Sequence, residues 1–135
     1  MTFASRLTRS PIPYDVHHAG EPRARFGGLA PELVELLAGT AGCSPYLAGL
    51  MNREAEWLEV ALLAKPEDAV STELAGLAGQ GSEALGVALR RAKRRIALLA
   101  GLADLGGVWT LEEVTGALTG LADAAVHQSF VALVS

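Results

Sequence analysis

Apolar residues recur at alternating steps of four and three along the last third of the chain, the period of a helix that lies along a neighbour. In the first part of this region the apolar positions are Leu85, Leu89, Ala92, Ile96, Leu99 and Ala103. Beyond Gly106-Gly107 the alternation resumes with Leu111, Val114, Leu118, Leu121 and Ala125. A short link between two helices makes them antiparallel. The pattern therefore predicts a long antiparallel helix pair near 83–106 and 111–133.

Helix-start signals occur at several points in the sequence. Thr110 and Glu113 have the spacing of a capping box, in which each side chain bonds the other residue's backbone N–H. Ser44-Pro45 and Pro31 are typical first residues of two shorter helices upstream. We expect Gly39 to end the first of these helices after two turns.

The composition favours helices over sheets. Half of the residues are apolar but only 5% are aromatic, so the core must be built from Leu, Ala and Val. The predicted fold class is all-α, a compact bundle of about five or six helices that ends in the long pair. Residues 1–27 hold three of the six prolines, which predicts an extended or partly disordered N-terminal arm followed by a helical domain over 28–135.

Charge and hydropathy exclude several classes of partner. A net charge of −4 gives no attraction to phosphate backbones, so we expect no nucleic-acid binding. The longest apolar stretch, 96–109, is too short to span a bilayer and contains Asp104. No signal peptide is visible, and the single Cys43 excludes an internal disulfide. These features predict a cytoplasmic protein without membrane contact.

No catalytic constellation is visible. The sequence has no Asp-x-Asp pair and no glycine-rich phosphate loop, which nucleotidyl transfer needs to hold metal and triphosphate. Asp15, His17 and His18 lie close together, but in a segment where nothing fixes their geometry. His127 has no second ligand at helical spacing. We predict no catalytic, cofactor-binding or metal-binding residue in this chain.

One cluster of charge stands out on the first helix of the long pair. It carries five of the eleven basic residues of the chain, namely Arg90, Arg91, Lys93, Arg94 and Arg95. They fan across the side opposite the apolar stripe. They are compatible with a solvated helix surface partly paired with local acids, or with an interaction face for an acidic partner domain or a nucleotide phosphate.

Asp104 lies in the last turn of the same helix, where a carboxylate opposes the helix dipole at a cost of about 0.3–1 kcal/mol. We expect it to pair with a basic group or an N–H donor of a neighbouring helix.

The last third of the chain resembles a known family. The run 89–99, continued by 102–115, 117–118 and 121–123, is similar to the N-terminal helical part of glutamine synthetase adenylyltransferases. Ser44-Pro45-Tyr46-Leu47 stands upstream at the expected spacing, and the resemblance covers about 28–134.

The resemblance implies a parent enzyme that attaches AMP to a tyrosine of glutamine synthetase and removes it by phosphorolysis. It also implies ATP, magnesium and control by the PII signalling protein. The family's Asp-x-Asp metal pair would lie downstream of this sequence, so no catalytic or metal residue is carried over. The chain is expected to be an inactive fragment of such an enzyme.

The alternative is a stand-alone helical module that binds proteins through the basic helix face. An Asp-x-Asp strand encoded within about a hundred residues after Ser135 would favour the enzyme. A fragment would also expose apolar residues, on the far side of 96–105 and at Phe130 to Val134. We therefore expect self-association rather than a clean monomer.

Overall fold

The computed structural model describes residues 2–13 and 15–134, without the side chains of Val16, His18 and Val134. These residues form a short 3-10 helix at Ala4–Arg6 and seven α-helices. The helices are α1 (Val16–Arg25), α2 (Pro31–Cys43), α3 (Pro45–Arg53), α4 (Ala55–Ala61), α5 (Pro66–Ala75), α6 (Ser82–Leu105) and α7 (Leu111–Val134). The described part of the chain contains no strand, which confirms the all-α prediction.

One hydrophobic core joins the helices. Its largest fully buried side chains include Leu36 and Leu37 of α2, Leu58 of α4, and Ile96 and Leu99 of α6. Leu and Ala dominate it, as the composition predicts, and only two buried aromatic side chains, Phe3 and Phe26, are among the largest fully buried residues. Helix α2 is buried on nearly every side, and it packs mainly against α1 and also against α3 and α6.

The long antiparallel pair is formed by α6 and α7, with bounds close to those predicted. Gly107 in the turn between them has a φ of +66°, a left-handed conformation that glycine adopts without strain. The capping box is also present, since Thr110 N donates to Glu113 Oε1 and Glu113 N donates to Thr110 Oγ1. The predicted helix pair is therefore confirmed, together with the signal that starts its second member.

The N-terminal region differs from the extended or partly disordered arm predicted over 1–27. Residues Val16–Arg25 form a helix, and Phe3, near the start of the chain, is 0% exposed. The buried positions Ala19, Pro22 and Phe26 are spaced by three and four, which is a helical apolar period built partly from small residues and a proline. The prolines and histidines of this region concealed that period in the sequence.

Helix α2 continues past Gly39, where the sequence analysis expected it to end. A Cβ atom at Gly39 would collide with the main chain of Pro11, and one at Gly42 would collide with Pro13. The stretch that contains both prolines therefore runs across α2 at glycine positions that permit close approach. These glycines allow a neighbouring segment to pack and do not terminate the helix.

Candidate interaction surface

A buried carboxylate organises part of the basic cluster of α6. Glu54, at the junction of α3 and α4, is 7% exposed. Arg95 Nε donates to its Oε1 at 2.7 Å, and Arg94 Nε donates to its Oε2 at 3.1 Å. Arg95 also donates through Nη1 to both carboxylate oxygens of Glu73 on α5, at 3.1 and 3.2 Å. Arg94 and Arg95 thus connect α6 to α5 and to the junction of α3 and α4. These two arginines, together with Glu54 and Glu73, form the Glu54 network.

The environment of Arg95 favours a fixed geometry. Its guanidinium carbon lies 5.4 Å from the centre of the Trp57 ring, within the range of a cation–π interaction. Burial alone would raise the pKa of Glu54, but the hydrogen bonds from Arg95 and Arg94 outweigh burial and leave that pKa below its usual value. The carboxylate therefore stays ionised at neutral pH and holds both arginines.

The five basic residues of the predicted interaction face thus separate into two groups. Arg94 and Arg95 are half-buried and engaged with acids of the same chain. Arg90, Arg91 and Lys93 are exposed, and none of them has a hydrogen bond or ion pair with any residue of the described chain. Only these three remain available for a partner.

Two of the three free cations border a groove between α3, α6 and α7. The groove has a volume of about 390 Å³ and is lined by Arg90, Lys93, Arg94, Ala97, Leu118, Leu121 and Tyr46. Tyr46 reaches it because α3 crosses α6 closely, with Leu47 packed against Gly101. The groove combines an apolar floor with a cationic rim.

Asp104 is exposed, and its carboxylate forms no ion pair with a described residue. The partner that the sequence predicts for the Asp104 carboxylate on a neighbouring helix is therefore not found among the described residues. Instead, Arg9 Nη2 donates to the main-chain carbonyl of Asp104 at 2.7 Å. The backbone N–H groups of Thr8 and Arg9 both donate to Gly106 O. Residues 2–13, here called the N-terminal segment, supply the donors and the positive charge that favour this helix end.

A second charged network anchors the N-terminal segment. Arg6 Nη1 donates to both oxygens of Glu67 at 2.6 and 2.8 Å, and its Nη2 donates to Val108 O at 3.2 Å. Trp109 Nε1 donates to Glu67 Oε1 at 2.8 Å. Burial would raise the pKa of Glu67, but the hydrogen bonds, that from Arg6 foremost, lower it. This network ties the segment to α5 and to the turn after α6.

Two sets of apolar residues were expected to be exposed, one on α6 and one near the end of α7, and only the set on α7 lies at the surface. On α6, Leu98 and Leu102 are fully buried, and both α2 and α3 pack against this helix. The outward side of α7 is open: Phe130 is 64% exposed and Leu133 is 82% exposed. The side chain of Val134 lies outside the described residues.

No group of three or more His, Cys, Asp or Glu residues that could hold a metal ion occurs among the residues that the structure describes. The side chain of His18, one of the three clustered candidates, is outside that set. Within the same residues, no helix is both long and apolar enough to cross a membrane.

Comparison with known proteins identifies the family. Residues 34–135 match the family model described as "Glutamate-ammonia ligase adenylyltransferase". This match includes helices α3 to α7 and almost all of α2. The chain belongs to this adenylyltransferase family. No solved structure matches the chain significantly.

Curated relatives agree with the assignment to the adenylyltransferase family. Three of them carry the name "Bifunctional glutamine synthetase adenylyltransferase/adenylyl-removing enzyme". The protein of Caulobacter vibrioides is 38% identical over 112 residues, 80% of this chain and 10% of the relative. That of Xanthobacter autotrophicus is 38% identical over 118 residues, covering 82% and 12%. That of a Bradyrhizobium species, strain BTAi1, is 35% identical over 99 residues, covering 70% and 10%. The chain spans about a tenth of the length of these adenylyltransferases.

Sequence reasoning missed the central residue of the Glu54 network. Glu54 and Glu56 are two residues apart, which places them on different faces of a helix, and helical spacing indicates no basic partner for Glu54. The arginines that bind Glu54 lie 40 and 41 residues further along the chain, beyond the reach of helical spacing. Five basic residues on one helix did indicate that local acids could pair with them, but nothing in the pattern showed which acids.

Proposed function

We propose that this chain forms the N-terminal helical segment of a glutamine synthetase adenylyltransferase and adenylyl-removing enzyme. Such an enzyme would transfer AMP to and from a tyrosine of glutamine synthetase in the cytoplasm. The observation that carries the proposal is the family match over residues 34–135. In the parent enzyme, ATP and Mg²⁺ would be bound by residues outside this sequence, because no Asp-x-Asp pair is present in it.

Within that enzyme, the segment would serve as a rigid helical scaffold and would not take part in catalysis. The Glu54 network supports this role, because it connects α6 to α5 and to the junction of α3 and α4 through part-buried charged hydrogen bonds. The partners of this chain would be the remainder of the parent enzyme, glutamine synthetase and the PII protein. The exposed cations Arg90 and Lys93, which border the groove between α3, α6 and α7, are the candidate contact residues.

A chimeric enzyme tests the proposal. Residues 34–135 of this chain would replace the matching segment of the Caulobacter vibrioides relative. The chimera is expected to transfer labelled AMP to glutamine synthetase, whereas the chain alone should transfer none. A chimera that is folded by circular dichroism yet inactive, or a chain that transfers AMP by itself, would contradict the proposal.

We also propose that the isolated chain self-associates through the outward side of α7. Val126, Phe130 and Leu133 are exposed on it, and their burial would gain about 25 cal/mol per Å² of apolar surface. This supports a homodimer or a larger oligomer at high protein concentration.

A further inference from the structure

We propose that the groove between α3, α6 and α7 binds an acidic amphipathic segment of a protein partner. The rim cations Arg90 and Lys93 would contact its carboxylates. The floor formed by Ala97, Leu118 and Leu121 would take its aliphatic side chains. The inference rests on the proposed function, in which this segment contacts other proteins, and it names the site and the chemistry of the partner.

The charge of the rim favours acidic groups. Arg94, on the same side of α6, is held by Glu54 at 3.1 Å, so its charge is largely compensated. Arg90 and Lys93 have no acid within the described chain to neutralise them. The protein as a whole carries a net charge of −4, which makes this rim a local exception. Charge complementarity therefore selects a negatively charged occupant.

The shape and the apolar floor favour a protein segment over a free anion. A small anion needs donors that converge on one point, whereas Arg90 and Lys93 stand along a groove whose floor is apolar. Tyr46, which is 66% exposed at the rim, and Arg90 are residue types enriched where protein partners bind most strongly. Leu118, which belongs to the apolar floor, is also exposed. An acidic helix with leucines on one side satisfies both requirements.

The underlying helix is fixed before any partner binds. Arg94 and Arg95, which follow Lys93, are bonded to Glu54 and Glu73. This holds α6 against α4 and α5 and fixes the positions from which the rim cations project. A preformed groove lowers the ordering cost of binding.

Binding of a panel of labelled peptides to the full 135-residue chain tests the inference. The probe is a fluorescent, terminally capped peptide of about 18 residues, roughly five helical turns. It has leucine at helical steps of three and four and glutamate or alanine elsewhere. Fluorescence anisotropy should show binding that weakens as salt is added. A control peptide with glutamine in place of glutamate should bind about tenfold more weakly or not at all.

Paired variants locate the site. R90E with K93E reverses both rim charges and should weaken binding about tenfold. R91E with K65E changes the net charge equally at two exposed positions away from the groove, and it should leave binding within about twofold. Leu118→Ala removes part of the apolar floor without a change in charge and should also weaken binding. Circular dichroism confirms that each variant is folded.

Three results would overturn the inference. Equal loss of binding in both charge-reversed pairs would show general charge attraction. Equal affinity for the glutamine peptide would show an apolar site without charge selection. Tighter binding of single-stranded RNA or of anionic lipid vesicles than of the acidic peptide would assign the rim to another class of ligand. Each result leaves the chimera experiment, and with it the proposed function, unaffected.

Discussion

Arg95 donates Nε to Glu54 at 2.7 Å across 41 residues of sequence, and this bond connects the junction of α3 and α4 to the middle of α6. Glu54 is the shared acceptor for two guanidinium groups, of which Arg95 also reaches Glu73. Two residues of the basic cluster, Arg94 and Arg95, therefore form internal ion pairs that hold the helices of the bundle together.

Removing the shared charge should destabilise the protein. Glu54→Gln leaves the half-buried Arg94 without a carboxylate partner and Arg95 with Glu73 alone. We expect the free energy of unfolding to fall by about 2–3 kcal/mol, between the values for exposed and buried pairs. Urea denaturation measures the loss. Glu35→Gln is the matched control, because its pair with Arg23 is exposed, and the urea midpoint should hardly change. Equal losses in both variants would contradict the structural role of Glu54.

The contribution of Glu54 should depend on pH. Since its pKa in the folded protein is lowered from the ordinary 4.5, its stabilising effect is complete above that value. The effect is lost as pH falls through the lower folded pKa. The difference in urea midpoint between the wild type and Glu54→Gln should therefore be constant near neutral pH and shrink below about pH 4.5. A difference that stayed constant down to pH 3 would count against this assignment.

The N-terminal segment should contribute to the free energy of unfolding of the protein. Phe3 is fully buried, so Phe3→Ala should lower the free energy of unfolding by about 3–5 kcal/mol. Ile12→Ala, in the same segment but 88% exposed, should change it by less than about 0.5 kcal/mol. Thermal or urea denaturation distinguishes the two. If Phe3→Ala were as mild as Ile12→Ala, the segment would not be packed in solution.

Self-association should depend on the outward side of α7. Val126→Asp combined with Phe130→Asp places two charges on that side and should give a monomer in sedimentation velocity at tens of micromolar protein. The wild type should form dimers or larger species. Val60→Asp with Leu63→Asp alters two equally exposed apolar residues elsewhere and should leave association unchanged. A monomeric wild type would remove this proposal.

Local signals in the sequence predicted the elements that depend on neighbouring residues. The capping box of Thr110 and Glu113, the Ser44 cap and the helix pair all rest on spacings of a few residues, and all three are present. The pairing of Arg95 with Glu54 depends on how α4 and α5 pack against α6, which no spacing encodes.

Glycine and proline caused the remaining errors. Gly39 is typical of a helix end, but here it accommodates the main chain of Pro11, so its function depends on a segment about 28 residues upstream. Pro22 lies inside α1, where a proline is normally unfavourable. In both places a tertiary contact outweighs the local preference, and a single sequence does not reveal that contact.

The attachment of the N-terminal segment also restricts the order in which the protein can fold during synthesis. Arg6 binds the carbonyl of Val108, 102 residues later, and Thr8 binds the carbonyl of Gly106. At ribosomal rates of about 5–20 residues per second, roughly 5–20 s pass before those partners exist. Until then Phe3 and its neighbours have no completed core to enter. Arg6 and Thr8 thus leave the ribosome well before their native partners, and this segment completes its contacts only after α6 has formed.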